Sequence, residues 1–372
     1  MSAERVRVAL LHPCFFPEVR RGSERIVRDL ASDLLALGHA PRIVTSHPGA
    51  PSRAVEDGVP IVRHWRPPDR PLTRRMVSDH MTHLPFSYAS LRLGHDDVAH
   101  AFHLSDAQAT ARWRERSGRP AVFSYMGLPE RPALADRRGK LRQFVRALSG
   151  HDRVLVLSHA AARAMERWLG VTPHVIHPGV DLAVFAPGGE RAPEPTILCT
   201  AAPDDPRKRV RLLAAAFQRL RRRRPEAVLV ALRPRDHDVA ARAGLDADGV
   251  RLVDPVDEPE RLAGMYRAAW VSALPSRAEA FGVVMLESLA CGTPVVASAD
   301  AAAPEVLDRP GIGVLFDDED DERLARALDD ALELATDPAT AAACRARAED
   351  FPTRRTAREH AALYRELLEA RA

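Results

Sequence analysis

From Leu274 to Ser298 the chain reads LPSRAEAFGVVMLESLACGTPVVAS, a run that passes from strand to loop, helix, loop and strand. Residues 269–274 are a short, mostly apolar run of the kind a buried parallel strand takes. Pro275 and Ser276 end it, and residues 277–281 read as a loop. Gly282 lets the chain turn closely into a helix over 283–290, because it lacks a Cβ. Gly292 closes that helix and residues 295–297 read as a second buried strand.

Two carboxylates stand eight positions apart in this run, Glu279 in the loop and Glu287 on the helix. Between them the N–H groups of residues 281–284 open a helix and so point unsatisfied donors at an anion. A phosphate-bearing ligand fits there with an acid on each side, because ionised carboxylates are strong acceptors for sugar and ribose hydroxyls. A solvated loop acid and a helix-surface acid give the same spacing, so spacing alone leaves both readings open.

The segment EAFGVVMLE, followed by ACGTPVVAS and by APEVL at 303–307, closely resembles the signature of the family-4 retaining glycosyltransferases. The resemblance implies an α/β chain of GT-B fold: two Rossmann-like domains facing across an interdomain cleft, with a C-terminal helix crossing back to the N-domain. It implies transfer of a hexosyl group from a UDP- or GDP-sugar to a hydroxyl of a glycan, glycolipid or small metabolite, with retention of configuration. The nucleoside diphosphate sugar is a co-substrate; no cofactor and no metal are implied.

The composition agrees with two domains. The 372 residues are 46% hydrophobic, enough for two ordinary cores. No apolar run reaches membrane-spanning length, and the N-terminus lacks the apolar centre of a signal peptide. Four scattered cysteines without CxxC spacing suit free thiols in a reducing cytoplasm. The net charge of +3 is unevenly placed. Residues 1–176 hold 27 basic and 17 acidic side chains, a surplus of ten; residues 177–372 hold 27 and 34, a deficit of seven. The first half is therefore the one to meet an anionic partner or membrane surface, which suits a cytoplasmic chain with peripheral membrane contact.

In the first half, residues 6–11, the loop 12–23, a helix over 24–37 and a strand over 43–45 make a β-α-β unit without a GxGxxG. By resemblance, the loop FFPEVRRGSER approaches the donor's diphosphate, and Gly22 admits it there. Residues 63–75 form a basic, proline-rich connector carrying Trp65. Residues 97–102 match the family strand that ends in a cleft histidine, so His100 is expected to line the acceptor cleft. Met126 stands where many relatives carry a histidine near the transferred sugar. Residues 137–148, RRGKLRQFVRAL, are basic and amphipathic; they suit an anionic membrane surface or packing on their own domain, with Leu141, Phe144, Val145 and Leu148 on one face.

The crossing to a second domain falls near VIHPGVD at 175–181, with a linker to about 195. This gives an acceptor-side domain over 1–176, a nucleotide-sugar domain over 177–352 and a returning helix over 353–372. After a strand at 196–201, the loop APDDPRKR carries Lys208, one of only two lysines against 52 arginines. The resemblance aligns Lys208 with a phosphate-binding lysine, while the family's arginine position falls on Ala202; Arg207 or Arg209 can compensate. An ammonium and a guanidinium there neutralise a departing diphosphate. The basic run 219–224 and the acidic run 317–322 read as solvated helix ends. No aromatics interleave with the basic run, so nucleic acid is not expected as a partner.

The expected roles are therefore Glu279, Lys208 and His100 at the reacting groups, and Gly22, Arg207, Arg209, Phe281, Gly282, Val283 and Glu287 around the donor. Met126 and Ala202 leave room for a non-catalytic sugar-nucleotide-binding homologue, or for altered chemistry such as pseudo-glycosyl coupling or epimerisation.

Overall fold

The computed structural model describes residues 5–19, 21–69, 77–131, 134, 136–137, 139–256, 258–317 and 320–371, with the backbone alone at 237. Residues 70–75 of the basic connector, 138 of the amphipathic stretch and 318–319 of the acidic run lie outside the described residues. The chain divides into two compact units, Met1–Pro178 with Thr353–Ala372, and Gly179–Pro352.

The first unit holds one sheet built from β1 (Arg7–Leu11), β2 (Ala40–His47), β3 (Ser52–Glu56), β4 (Val59–Trp65), β5 (Val98–Ala101), β6 (Ala121–Tyr125), β7 (Arg153–Val156) and β8 (His174–Val175). Their order is β3-β4-β2-β1-β5-β6-β7-β8, parallel throughout except for β3 against β4. Val8 to Leu11 are fully buried, as the central strand of a sheet covered on both faces must be. The helix Gly22–Ala36 buries Val27, Leu30, Ala31 and Leu34, the stripe its helical spacing presents. The last helix, Thr353–Glu369, joins the same core through Ala357, Ala361, Tyr364 and Leu367. Each buried valine or leucine among these stabilises the unit by about 1.5–3 kcal/mol, and each alanine by less.

The second unit holds β9 (Thr196–Cys199), β10 (Val228–Leu232), β11 (Val250–Val253), β12 (Val271–Leu274), β13 (Val295–Ser298) and β14 (Gly313–Phe316). The order is β11-β10-β9-β12-β13-β14, all parallel. From β9 the chain runs outward to β10 and β11, then returns to the other side of β9 as β12. In open parallel sheets ligands bind at such a reversal, outside the carboxyl ends of the strands. In the first unit the same reversal lies between β1 and β5.

Two details differ from the sequence reading. The basic run at 219–224 does not simply face solvent: Arg219 pairs with Asp321 at 2.9 Å, Arg223 with Glu322 at 2.6 Å, and Arg224 with Asp329. These pairs tie the helix Val210–Arg221 and its end to the helix Asp321–Leu334. The helix Lys140–Ser149 buries Phe144 and Ala147, while Leu141 and Val145 stay outside at 41% and 51% exposure. Its inward face is thus narrower than the apolar stripe, because only that part reaches the core around Phe123 and Met165.

Candidate functional site

The loops after β9, β12 and β13 leave neighbouring strand ends in the second unit, and the residues singled out there meet. After β9, Asp205 caps a single turn, Pro206–Lys208, by accepting the Arg207 N–H at 3.0 Å. Arg209 follows in the left-handed region at φ 48° and starts the helix Val210–Arg221. This turn aims Lys208 at the next loop: its Nζ donates to Glu279 Oε2 at 2.6 Å. Both side chains keep about a fifth to a quarter of their surface exposed, 24% for Lys208 and 20% for Glu279, so the pair is open to a ligand. The two flanking arginines differ. The Arg207 side chain is 66% exposed, and its guanidinium pairs with Asp205 at 2.7 Å. Arg209 is tied inward, its Nε donating to the Pro275 carbonyl at 2.6 Å and its Nη2 to Ser298 Oγ at 2.9 Å.

The loop after β12 is held in unusual backbone. Ala278 has φ 55°, Gly282 φ 83°, and Ala301 in the loop after β13 φ 51°. Non-glycine residues visit this region rarely, and such strain collects at functional sites. At Gly282 the left-handed backbone strains any residue with a side chain, and a Cβ there, 2.6 Å from Met285 Cε, would also force that methionine tip to move. Gly282 begins the helix Val283–Ala290, whose first residues Val283 and Val284 are half-buried while Phe281 lies inside, its ring edge-on to Phe351 at 5.7 Å. The opening N–H groups of this helix stand beside Glu279 in sequence and offer donors and a positive dipole end to an anion.

Glu287, the second carboxylate of the motif, lies buried at the base of the site. It is 1% exposed, and its Oε2 accepts from the Tyr266 hydroxyl at 3.2 Å; that hydroxyl also meets Thr200 Oγ1 at 3.0 Å. On this helix position 287 turns inward, towards the helix Pro259–Ala268 that carries Tyr266. Sequence spacing fixes which residues share a helix but not which side the core takes.

In the first unit, Gly22 opens the helix Gly22–Ala36 at the end of the loop that follows β1. A Cβ at Gly22 meets nothing within 4 Å, so packing does not demand glycine there. The turn is closed by Glu24, whose Oε2 accepts the Arg21 N–H at 3.1 Å and the Ser23 hydroxyl at 3.0 Å. His100 does not line an open surface. It has no exposure, and both ring nitrogens are taken, Nδ1 by the Tyr364 hydroxyl at 2.6 Å and Nε2 by Ser124 Oγ at 2.7 Å. The returning helix lays Tyr364 and His360 over β5, and burial holds the imidazole neutral, its pKa well below the usual value. Met126 packs against the same core.

Sequence reasoning missed Tyr266, Ser298 and Asp300 at this site. Asp300 Oδ2 accepts the Ala278 N–H at 2.8 Å. Ser298 closes the quoted motif, but nothing local signals its contact with Arg209, and no motif includes Tyr266 or Asp300, because each contact joins segments far apart in the chain. All four cysteines are buried, and burial pushes their thiols up, to about 11 for Cys14 and Cys199 and about 12 for Cys291 and Cys344. None is a ready thiolate. Among the described residues no group of three or more His, Cys, Asp or Glu is placed to hold a metal ion.

Comparison with known proteins agrees with this geometry. The family model "Glycosyltransferase Family 4" matches residues 20–184, and "Glycosyl transferases group 1" matches residues 194–334. The chain is 32% identical to the D-inositol 3-phosphate glycosyltransferase of Kribbella flavida over 66% of its own length, and spans 65% of that relative. It is 30% identical to D-inositol 3-phosphate glycosyltransferase 1 of Catenulispora acidiphila, over 84% of this chain and 80% of that one. Among solved structures it resembles the Anabaena protein HepE in complex with UDP-glucose, with a TM-score of 0.76 at 18% identity, over 96% of this chain and 98% of that one. With two parallel-sheet α/β units, both family models and these relatives in agreement, the chain belongs to glycosyltransferase family 4 and has the GT-B fold.

Proposed function

We propose that the chain transfers a hexosyl group from a nucleoside diphosphate sugar to a hydroxyl acceptor with retention of configuration. The observation that carries this reading is the 2.6 Å contact of Lys208 Nζ with Glu279 Oε2 at the sheet's reversal point, next to the opening of the helix Val283–Ala290. In this reading the helix-opening N–H groups from Phe281 to Val283 hold the diphosphate of the bound donor. Lys208 stabilises its charge as the sugar–oxygen bond breaks, and Arg209 supplies the guanidinium that Ala202 cannot. Arg207, turned outward onto Asp205, takes the lesser part. Glu279 orients Lys208 and accepts hydroxyls of the sugar. Glu287 supports the nucleotide from beneath through Tyr266 and Thr200. Gly22 leaves room for the donor at the loop after β1. No side chain at the site is an evident nucleophile, which suits displacement on the face from which the diphosphate departs. The names of the relatives make a phosphorylated polyol the first acceptor to test.

Thermal unfolding with UDP, GDP and their sugars tests the reading, since a ligand at a hundredfold its Kd adds about 2.7 kcal/mol to stability. One nucleotide should raise the Tm, and its sugar should be consumed when an acceptor is added. Binding without turnover would mark a sugar-nucleotide-binding homologue; no nucleotide binding, or a nucleotide seated away from Lys208, would overturn the assignment.

We also infer peripheral contact of the first unit with anionic bilayers, because Leu141 and Val145 stay exposed beside the exposed Arg142 and Arg146 on one helix. No helix of the described residues is long and apolar enough to cross a membrane. Vesicles rich in phosphatidylserine should co-sediment the chain at low salt, and V145D should abolish this; equal sedimentation of both proteins removes the inference.

A further inference from the structure

We propose that Asp300 is a positioning residue for the Lys208–Glu279 pair, holding the loop after β12 in the conformation that brings the Glu279 carboxylate onto Lys208. The proposal rests on the transferase reading above, and its observations are independent of the family signature. The loop after β13 grips the loop after β12 at both ends of one dipeptide. The half-buried Asp300 accepts the Ala278 N–H through Oδ2 at 2.8 Å, and the Ala302 N–H donates to the Glu279 carbonyl at 3.3 Å. Between those two contacts Ala278 is left-handed at φ 55°, and between the two gripping residues Ala301 is left-handed at φ 51°.

An alanine does not take this conformation without help, because its Cβ crowds the backbone there. Freed of the Asp300 carboxylate, Ala278 gains by relaxing to an ordinary conformation. Ala278 directly precedes Glu279, so that rotation swings the Glu279 side chain away from the Lys208 ammonium. Asp300 touches neither member of the pair; it acts through the backbone. A displacement of about 1 Å at a reacting centre lowers turnover on the order of a hundredfold. Nucleotide affinity, resting on the helix Val283–Ala290 and the groups beneath it, should change little.

Three variants test this. D300A should lower turnover of the sugar nucleotide about ten- to a hundredfold while the Tm shift given by UDP stays as in the parent protein. D300N keeps an oxygen acceptor for the Ala278 N–H and should stay within about threefold of the parent, consistent with a positional rather than an electrostatic role. A278G placed in D300A should recover most of the loss, because glycine holds the left-handed region unaided. Parent-like turnover in D300A, a D300N as slow as D300A, or no recovery with A278G would each overturn the proposal. A crystal structure of D300A gives a readout that needs no activity: the Lys208–Glu279 contact should be broken, and an intact contact refutes the role. If the parent protein turns over no sugar nucleotide, the transferase reading fails while this structural readout still decides the clamp.

Discussion

At the scale of single residues, the proposed site rests on Lys208 with Arg209, on the Glu279 carboxylate, and on left-handed backbone at Ala278 and Gly282. K208A should lower turnover by about a hundred- to a thousandfold, the loss typical when one preorganised donor to a developing charge is removed. Steady-state kinetics at saturating donor check this. Gly22 and Gly282 predict opposite outcomes. G22A meets open space, so unfolding should be unchanged within about 0.5 kcal/mol, and any loss of turnover reports the approach of the donor. G282A forces a Cβ against Met285 at φ 83° and should cost roughly 1–3 kcal/mol of stability, read by denaturant unfolding. The signature from Glu279 to Glu287 made the first carboxylate and the glycine legible in the sequence. It did not say that Glu287 faces inward, since a helix shows its inner side only once its neighbours are placed.

At the scale of elements, the two charge runs that looked like independent solvated helix ends are partners. The Arg223–Glu322 pair is 43% and 33% exposed, so it is a surface pair, worth about 0–1 kcal/mol. R223A should therefore cost less than about 1 kcal/mol, and half-molar salt should erase most of the difference, as urea unfolding at two ionic strengths can show. The strands of the motif were readable because buried parallel strands are short apolar runs: residues 295–297 fall within β13, and the helix over 283–290 appears with the same bounds. The antiparallel strand β3 was not readable, since a mostly exposed edge strand such as Ser52–Glu56 carries little apolar pattern.

At the scale of the whole molecule, buried histidines are concentrated in the first unit. Burial lowers the pKa of His100, of His103 to about 3, and of His151 and His360 to about 4. A histidine whose folded pKa is depressed is protonated more readily when unfolded. Its contribution is therefore fully present above about pH 6.5 and is lost as pH falls below that value towards the folded pKa. The only histidine of the second unit is His237. Acidification from pH 7 to pH 5 should thus weaken the first unit before the second. Hydrogen exchange checks it: amides of β1, β5 and β6 should lose protection while those of β9 and β12 keep theirs. Equal loss in both units would refute the assignment of the effect to these histidines.

The amino-acid sequence by itself determined the family, the two parallel-sheet halves and the neighbourhood of Glu279 and Lys208, because short apolar strands, glycine turns and a dense local motif are properties of consecutive residues. Only the tertiary structure decided that Arg209 rather than Arg207 is anchored at the strand ends, that Glu287 and His100 are enclosed, and that Asp300 grips Ala278. Each of these depends on which distant segment covers a given side chain, and long-range packing leaves no local trace for the sequence to show.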